Sequence, residues 1–388
     1  MDTPYTYSPL DGVSGDNSLL TPLAGQAQRT WRRWVGRVAF ASGGLLSATI
    51  AGSLFVVDAV TRASKVTSFD TYTFTPFELD LPSEDVQIPA IDGDTLSGWW
   101  LPRPETDRVI LVCYGYRNRK SDMLGIGAAL WRSGYNVLIF DYHGHGEHAG
   151  TRVTLGYREL EDALAAVRFV YERVPSARLG VVGFSMGASI AIMAAARDTR
   201  IDAVVADSPF AAQRNPIIMR MRQRFHLSWS GRPVLFFADH ILYWLLGYRF
   251  SDVEPIRDMA RLGNRPIMFI HGMKDTVVDP SDSELLFEAA TGTKELWQVQ
   301  GAEHCGAYFA NRRYYVKRIV SFLDRALRDD GVRSAAIEEV ELEQQEQHDD
   351  QDNNQKHKDN GRPRAAVLGM RLIAFPRLHF VHPHRTGH

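Results

Sequence analysis

The chain has 388 residues, 45% of them hydrophobic and 23% charged, and a formal net charge of −2. That length allows one large α/β domain with appendages, and the near-neutral charge leaves no electrostatic footprint for nucleic acid. Two cysteines, Cys113 and Cys305, exclude a disulfide framework and a cysteine-based zinc site, leaving at most one bridge between them.

Residues 1–28 are rich in Pro, Ser, Thr, Gly and Asp without an apolar period, the composition of a disordered, solvated tail. Residues 38–57, "VAFASGGLLSATIAGSLFVV", carry no charge. About 20 residues rising ~1.5 Å each match a ~30 Å hydrocarbon core, so a transmembrane helix is expected. Arg29, Arg32, Arg33 and Arg37 precede it, whereas Asp58, Arg62 and Lys65 follow. The positive-inside bias then gives a single-pass membrane protein with a cytoplasmic N-terminus and everything downstream extracytoplasmic or lumenal. A buried helix and a signal peptide cleaved around Val57-Asp58-Ala59 are the competing readings. The leader is long and the apolar core exceeds the usual signal-peptide length, which favours the anchor. Ala48 and Gly52 form a small-xxx-small pair too common to predict a dimer, and the oligomeric state stays open.

Strand and helix signals then alternate. Residues 84–102 predict a hairpin turning at Asp92-Gly93, and short apolar runs follow at "RVILVCY", "YNVLIFDY", "RLGVVGF", "DAVVADS", "PIMFIHG" and "ELWQV". Between them, Leu160, Leu164, Val167, Tyr171 and Val174 recur at helical spacing. This alternation predicts an α/β fold, a mostly parallel central sheet with helices on both faces.

Within "VVGFSMGAS", Ser185 stands between Gly183 and Gly187, where a β-branched run gives way to small residues. Gly-x-Ser-x-Gly at a strand-to-helix turn is a nucleophile elbow: the glycines admit neighbouring backbone and the serine hydroxyl projects above the sheet edge. A serine needs a base and the base an orienting carboxylate. "PIMFIHGMKDTVV" places Asp275 just after one later strand, and "ELWQVQGAEHCGAY" places His304 after the next. The order Ser, Asp, His is the one expected with such an elbow. Asp207, Asp279 and Asp282 are alternatives to Asp275, and of these only Asp207 also closes a strand.

Residues 69–327 resemble an α/β-hydrolase domain, on the strength of "GFSMG", "HGMKDTVV", "GAEH" and "FDYHGHGEHAG". The region is similar to membrane-anchored, short-cap hydrolase-domain proteins, whose members include serine hydrolases and S33-like peptidases. The resemblance implies Ser185 as nucleophile, His304 as general base and then acid, and Asp275 as orienting carboxylate. It also implies an oxyanion hole from the backbone N–H groups of Met186 and Tyr116. Two departures stand out: Tyr114-Gly115 replaces the usual His-Gly after the third strand, and His143 and His148 stand where arginine and serine are commoner.

His143, His145 and His148 form a weak ligand set without a carboxylate at helical spacing, so no metal is expected. His271 reads as a packed or hydrogen-bonded histidine and Cys305 as a packed thiol. Residues 210–265 form a short cap insertion with the basic stretch "RMRQRFH" and an aromatic run in which Phe236, Phe237, Ile241, Trp244, Leu245 and Tyr248 are candidates for an acyl slot. Residues 330–388 read as a disordered acidic tail with a basic, apolar end. The expectation is a cofactor-independent serine hydrolase acting on a small acyl substrate, a carboxylic ester first. A peptidase or thioesterase on the same triad, and a catalytically silent membrane-anchored scaffold, are the alternatives.

Overall fold

The computed structural model describes residues 21–62, 74–91, 93–225 and 231–328. The acidic C-terminal segment and residues 1–20 lie outside the described residues. Residues 21–28, expected from composition to be part of an unfolded tail, instead begin the helix α1 (Thr21–Thr61). Leu23, Ala24, Gln26, Ala27 and Gln28 are good helix formers, and Pro22 sits in the first turn, where its missing N–H costs nothing.

Eight strands make one sheet in the order β1-β2-β4-β3-β6-β7-β8-β9. β1 (Glu84–Pro89) and β2 (Thr95–Leu101) form the expected antiparallel hairpin, and β2 runs antiparallel to β4 (Asn136–Phe140). β3 (Arg108–Cys113), β6 (Arg178–Phe184), β7 (Ile201–Asp207), β8 (Ile267–Gly272) and β9 (Lys294–Val299) continue in parallel. The central strands are buried along nearly their whole length, as parallel strands covered on both faces must be, and one apolar cluster fills each side. Further along the chain, β5 (Gly144–Thr151) forms in the histidine-rich stretch, outside the eight-stranded sheet. Its glycines and histidines lack the β-branched pattern that signals a strand.

α3 (Arg158–Arg173) lies on the sheet through the predicted apolar face, and α4 (Met186–Arg197) follows β6 directly. Nearly every residue of α4 is buried, because "MGASIAIMAAA" is small enough for the helix to sit close to the strands. α2 (Leu124–Arg132), α8 (Pro280–Ala289) and α10 (Arg312–Ala326) complete the covering layers, with α9 (Ala307–Ala310) a single turn before α10. Between β7 and β8, α5 (Arg214–Phe225), α6 (Gly231–Leu246) and α7 (Pro255–Leu262) form the inserted segment.

α1 contains a stretch, Trp31–Thr61, long and apolar enough to cross a membrane. Its last turns pack along α6, and Val56, Val57 and Val60 are buried in the domain core. Both cysteines are free thiols, Cys113 buried and Cys305 partly so, which settles the open question of a bridge.

Candidate active site

β6 ends in Phe184, and Ser185 takes φ 53° and ψ −118° before α4 begins at Met186. A non-glycine residue at positive φ is strained, and the surrounding backbone must hold it there. It does: the Ser185 N–H donates to the Asp207 carbonyl at 2.8 Å, and its own carbonyl accepts from Ala188 and Ser189. Both elbow glycines are sterically required, since a β-carbon at Gly187 would overlap the Cys113 and Tyr114 carbonyls and one at Gly183 would overlap the Gly187 carbonyl.

Three loops at the carboxyl ends of the strands bring the remaining groups to Ser185. Its hydroxyl lies 2.8 Å from His304 Nε2, and His304 Nδ1 lies 2.6 Å from Asp275 Oδ2. A carboxylate only accepts, so Nδ1 carries the proton and Nε2 is free to accept from the serine. Asp275 Oδ1 accepts from the N–H groups of Val277 and Val278 at 2.7 and 2.9 Å. Oδ2 is shared with buried His271, whose Nε2 is 3.1 Å away. His271 Nε2 also faces the Val278 carbonyl, so it bears a proton and its Nδ1 accepts from the Ser283 hydroxyl at 2.6 Å. Burial alone raises a carboxyl pKa, but the hydrogen bonds from His271 and His304, the nearby imidazole of His304 and the Val278 N–H outweigh it and hold Asp275 well below the usual carboxylate range. The His271–Ser283 support was not read from sequence beyond a packed or hydrogen-bonded histidine.

The alternative carboxylates go elsewhere. Asp279 caps α8 by accepting from the Ser281 N–H, and Asp282 accepts from the Ala211 N–H and from Asn215. Asp207 ends β7 as expected but accepts from the Tyr315 and Ser208 hydroxyls, both at 2.9 Å. Complete burial lifts Asp207 to about 6, against the opposing pull of those two hydroxyls and the neighbouring histidines. A carboxyl whose pKa rises from the usual 3.8 to about 6 on folding favours the fold most while protonated, and that stability is lost as pH rises through about 6. Asp207→Asn is therefore expected to remove a fall of about 2 kcal/mol in unfolding free energy between pH 4 and pH 8. Denaturant melts of both proteins at the two pH values check this, and equal slopes would refute it.

Tyr114, the departure from the expected His-Gly pair, follows β3 directly. Its hydroxyl donates to Asp141 Oδ1 at 3.1 Å and accepts from the Tyr142 N–H at 3.0 Å, tying the end of β3 to the segment after β4. Gly115 follows with its α-carbon against Ser185: a β-carbon there would stand 3.2 Å from the Ser185 Cβ. The next residue is Tyr116, and Met186, on the other side of Ser185, is the first residue of α4, whose N–H has no intrahelical acceptor. His143 is bound to Asp162 of α3 through both its N–H and Nδ1, and His145 Nδ1 lies 3.0 Å from the His143 carbonyl. Among the described residues no group of His, Cys, Asp and Glu is arranged to hold a metal ion. Burial, reinforced by the Asp207 charge, pushes the Cys305 thiol well above its ordinary range, which keeps it protonated beside His304.

Residues 104–240 match the family model described as serine aminopeptidase, S33. The Bacillus subtilis protein YqkD is 31% identical over 241 residues, an alignment covering 61% of this chain and 78% of that protein. This chain is an α/β hydrolase. The hydrolase also aligns with the Pyrococcus furiosus esterase Pf2001 at 27% identity and a TM-score of 0.56, over 69% of this chain and all of that one. The α/β hydrolase GrgF of Penicillium sp. sh18, 20% identical with a TM-score of 0.51 over 64% of this chain and 99% of its own, shares the fold.

Proposed function

We propose that the hydrolase cleaves carboxylic esters through an acyl-enzyme on Ser185. The observation carrying this reading is the unbroken run of contacts from Ser185 Oγ through His304 to Asp275, at 2.8 and 2.6 Å. Ser185 Oγ attacks the carbonyl carbon while its proton passes to His304 Nε2, and Asp275 stabilises the imidazolium formed. The tetrahedral oxyanion is held by the Met186 and Tyr116 backbone N–H groups, with the N-terminal end of α4 aimed at it. The carbon–oxygen bond to the leaving group then breaks, His304 returns its proton to the departing alkoxide, and an alcohol leaves. Water, deprotonated by His304, attacks the acyl carbonyl; Ser185 recovers the proton and the acid is released.

An ester is favoured over an amide by the likeness to the Pf2001 esterase and by the apolar α6, where Phe236, Tyr243, Trp244 and Leu245 are exposed. The serine aminopeptidase description of the matching family model favours a peptidase as second reading. A fluorophosphonate probe should label the wild-type protein and not Ser185→Ala; a folded wild type that takes no label points to a silent scaffold. Faster turnover of aminoacyl anilides than of p-nitrophenyl acyl esters would replace the esterase reading by the peptidase one.

We further propose that α1 crosses a membrane once with its N-terminus cytoplasmic, a reading supported by the hydropathy of Trp31–Thr61 and by Arg29, Arg32, Arg33 and Arg37 before the uncharged 38–57 stretch. A glycosylation reporter fused after residue 329 is expected to be modified, and an unmodified reporter would reverse the orientation.

A further inference from the structure

The last carbonyls of a helix have no partner within it and must find one outside. At the end of α1 the Ala59 and Arg62 carbonyls both lie 3.2 Å from the Tyr116 hydroxyl. Thr61 is buried: its carbonyl accepts from the Val153 N–H at 3.2 Å, and its hydroxyl oxygen accepts from Arg152 at 3.1 Å. One turn back, Val56, Val57 and Val60 share a core cluster with Tyr114 and Tyr142, against which Tyr116 also packs. Two turns back, the Ser53 hydroxyl lies 2.9 Å from the Val234 carbonyl of α6, and Gly52 faces the Val234 methyls. Burial raises the Tyr116 pKa above its ordinary value, so its hydroxyl is a donor at neutral pH.

We propose that the last turn of α1 is a positioning element of the catalytic centre: by holding the Tyr116 side chain, it fixes the Tyr116 backbone N–H beside Ser185. The seating of α1 on the domain therefore controls turnover. This inference rests on the Ser185 acyl-enzyme reading, because it uses Tyr116 as an oxyanion donor. It also makes the apolar helix a retained part of the enzyme. Cleavage around Val57-Asp58-Ala59 would divide the buried valines and strip the Ala59 and Arg62 carbonyls of their setting.

The experiment uses the full chain in detergent micelles with p-nitrophenyl butyrate. Tyr116→Phe keeps the ring and the backbone N–H and deletes only the hydroxyl. The expected result is a fall in kcat of about tenfold with KM within about twofold, since small misplacement of a catalytic group costs turnover more than binding. Gly52→Leu perturbs the same helix about 10 Å from Ala59, at ~1.5 Å per residue. A β-carbon at Gly52 would stand 3.6 and 3.7 Å from the two Val234 methyls, so the rest of a leucine must push α1 off α6. Gly52→Leu should also lower kcat, and in the Tyr116→Phe background it should add less than about twofold, because the link it acts through is already cut. Should Gly52→Leu fail to fold, Ser53→Ala serves the same cycle: it removes the hydroxyl's contact to Val234 of α6 together with its bond to the Thr49 carbonyl within α1. Wild-type kcat in Tyr116→Phe, wild-type kcat in the α1 variant, or losses that multiply in the double variant would each overturn the proposal while leaving the esterase reading intact. A wild-type protein that neither turns over ester nor takes a fluorophosphonate label overturns both.

Discussion

His304→Ala should lower kcat for a p-nitrophenyl ester by about 10⁵- to 10⁶-fold, Ser185→Ala by about the same factor, and the double variant by no more than either alone. A loss of about 10⁶-fold corresponds to about 8 kcal/mol of transition-state stabilisation. The non-additivity follows from the single 2.8 Å contact between Ser185 Oγ and His304 Nε2: each group is useless for attack without the other. Residual turnover of about 10³-fold over water should survive in all three, because the backbone donors and the α4 terminus are untouched. Steady-state kinetics on the three purified proteins measure this. A double variant that loses the product of the two single effects would show that the residues act independently and would end the acyl-enzyme scheme.

Asp275→Asn should cost about 10⁴-fold in kcat while leaving the protein folded. The direction follows from the surrounding donors. Val277 and Val278 N–H groups hold Oδ1, so the asparagine oxygen must occupy that site and its NH₂ must replace Oδ2. That NH₂ then donates to His304 Nδ1, which sends the imidazole proton to Nε2, where it faces Ser185 and cannot accept. The same NH₂ meets the proton on His271 Nε2, so His271 loses its carboxylate partner as well. Circular dichroism separates misfolding from misprotonation, and near-wild-type turnover in a folded Asp275→Asn would remove Asp275 from the mechanism.

The hairpin and the strand runs were legible because their apolar stretches are bounded by turn residues, and parallel burial needs only that local continuity. β5 was not, since "GHGEHAGT" carries no strand pattern. Residues 21–28 differ for the opposite reason: their composition is that of a solvated tail, but their helix propensity is continuous with the apolar segment that follows. Among the site residues, Ser185, Asp275 and His304 each follow shortly after a strand, a placement the apolar runs predict, while their roles are what the family resemblance implies. Asp207 satisfied the same rule and differs from Asp275 only in its neighbours, Tyr315 and Ser208 instead of His304 and His271.

By itself, then, the sequence determined the order of strands and helices, the elbow and the set of side chains able to do acyl chemistry, because each depends on residues close together in the chain. The tertiary structure decided which carboxylate meets His304, which partners the Tyr114 hydroxyl finds, that Cys113 and Cys305 stay apart, and that the end of α1 reaches Tyr116. Those outcomes depend on contacts between residues far apart in sequence, and neither periodicity nor propensity encodes which distant partner a buried polar group will find.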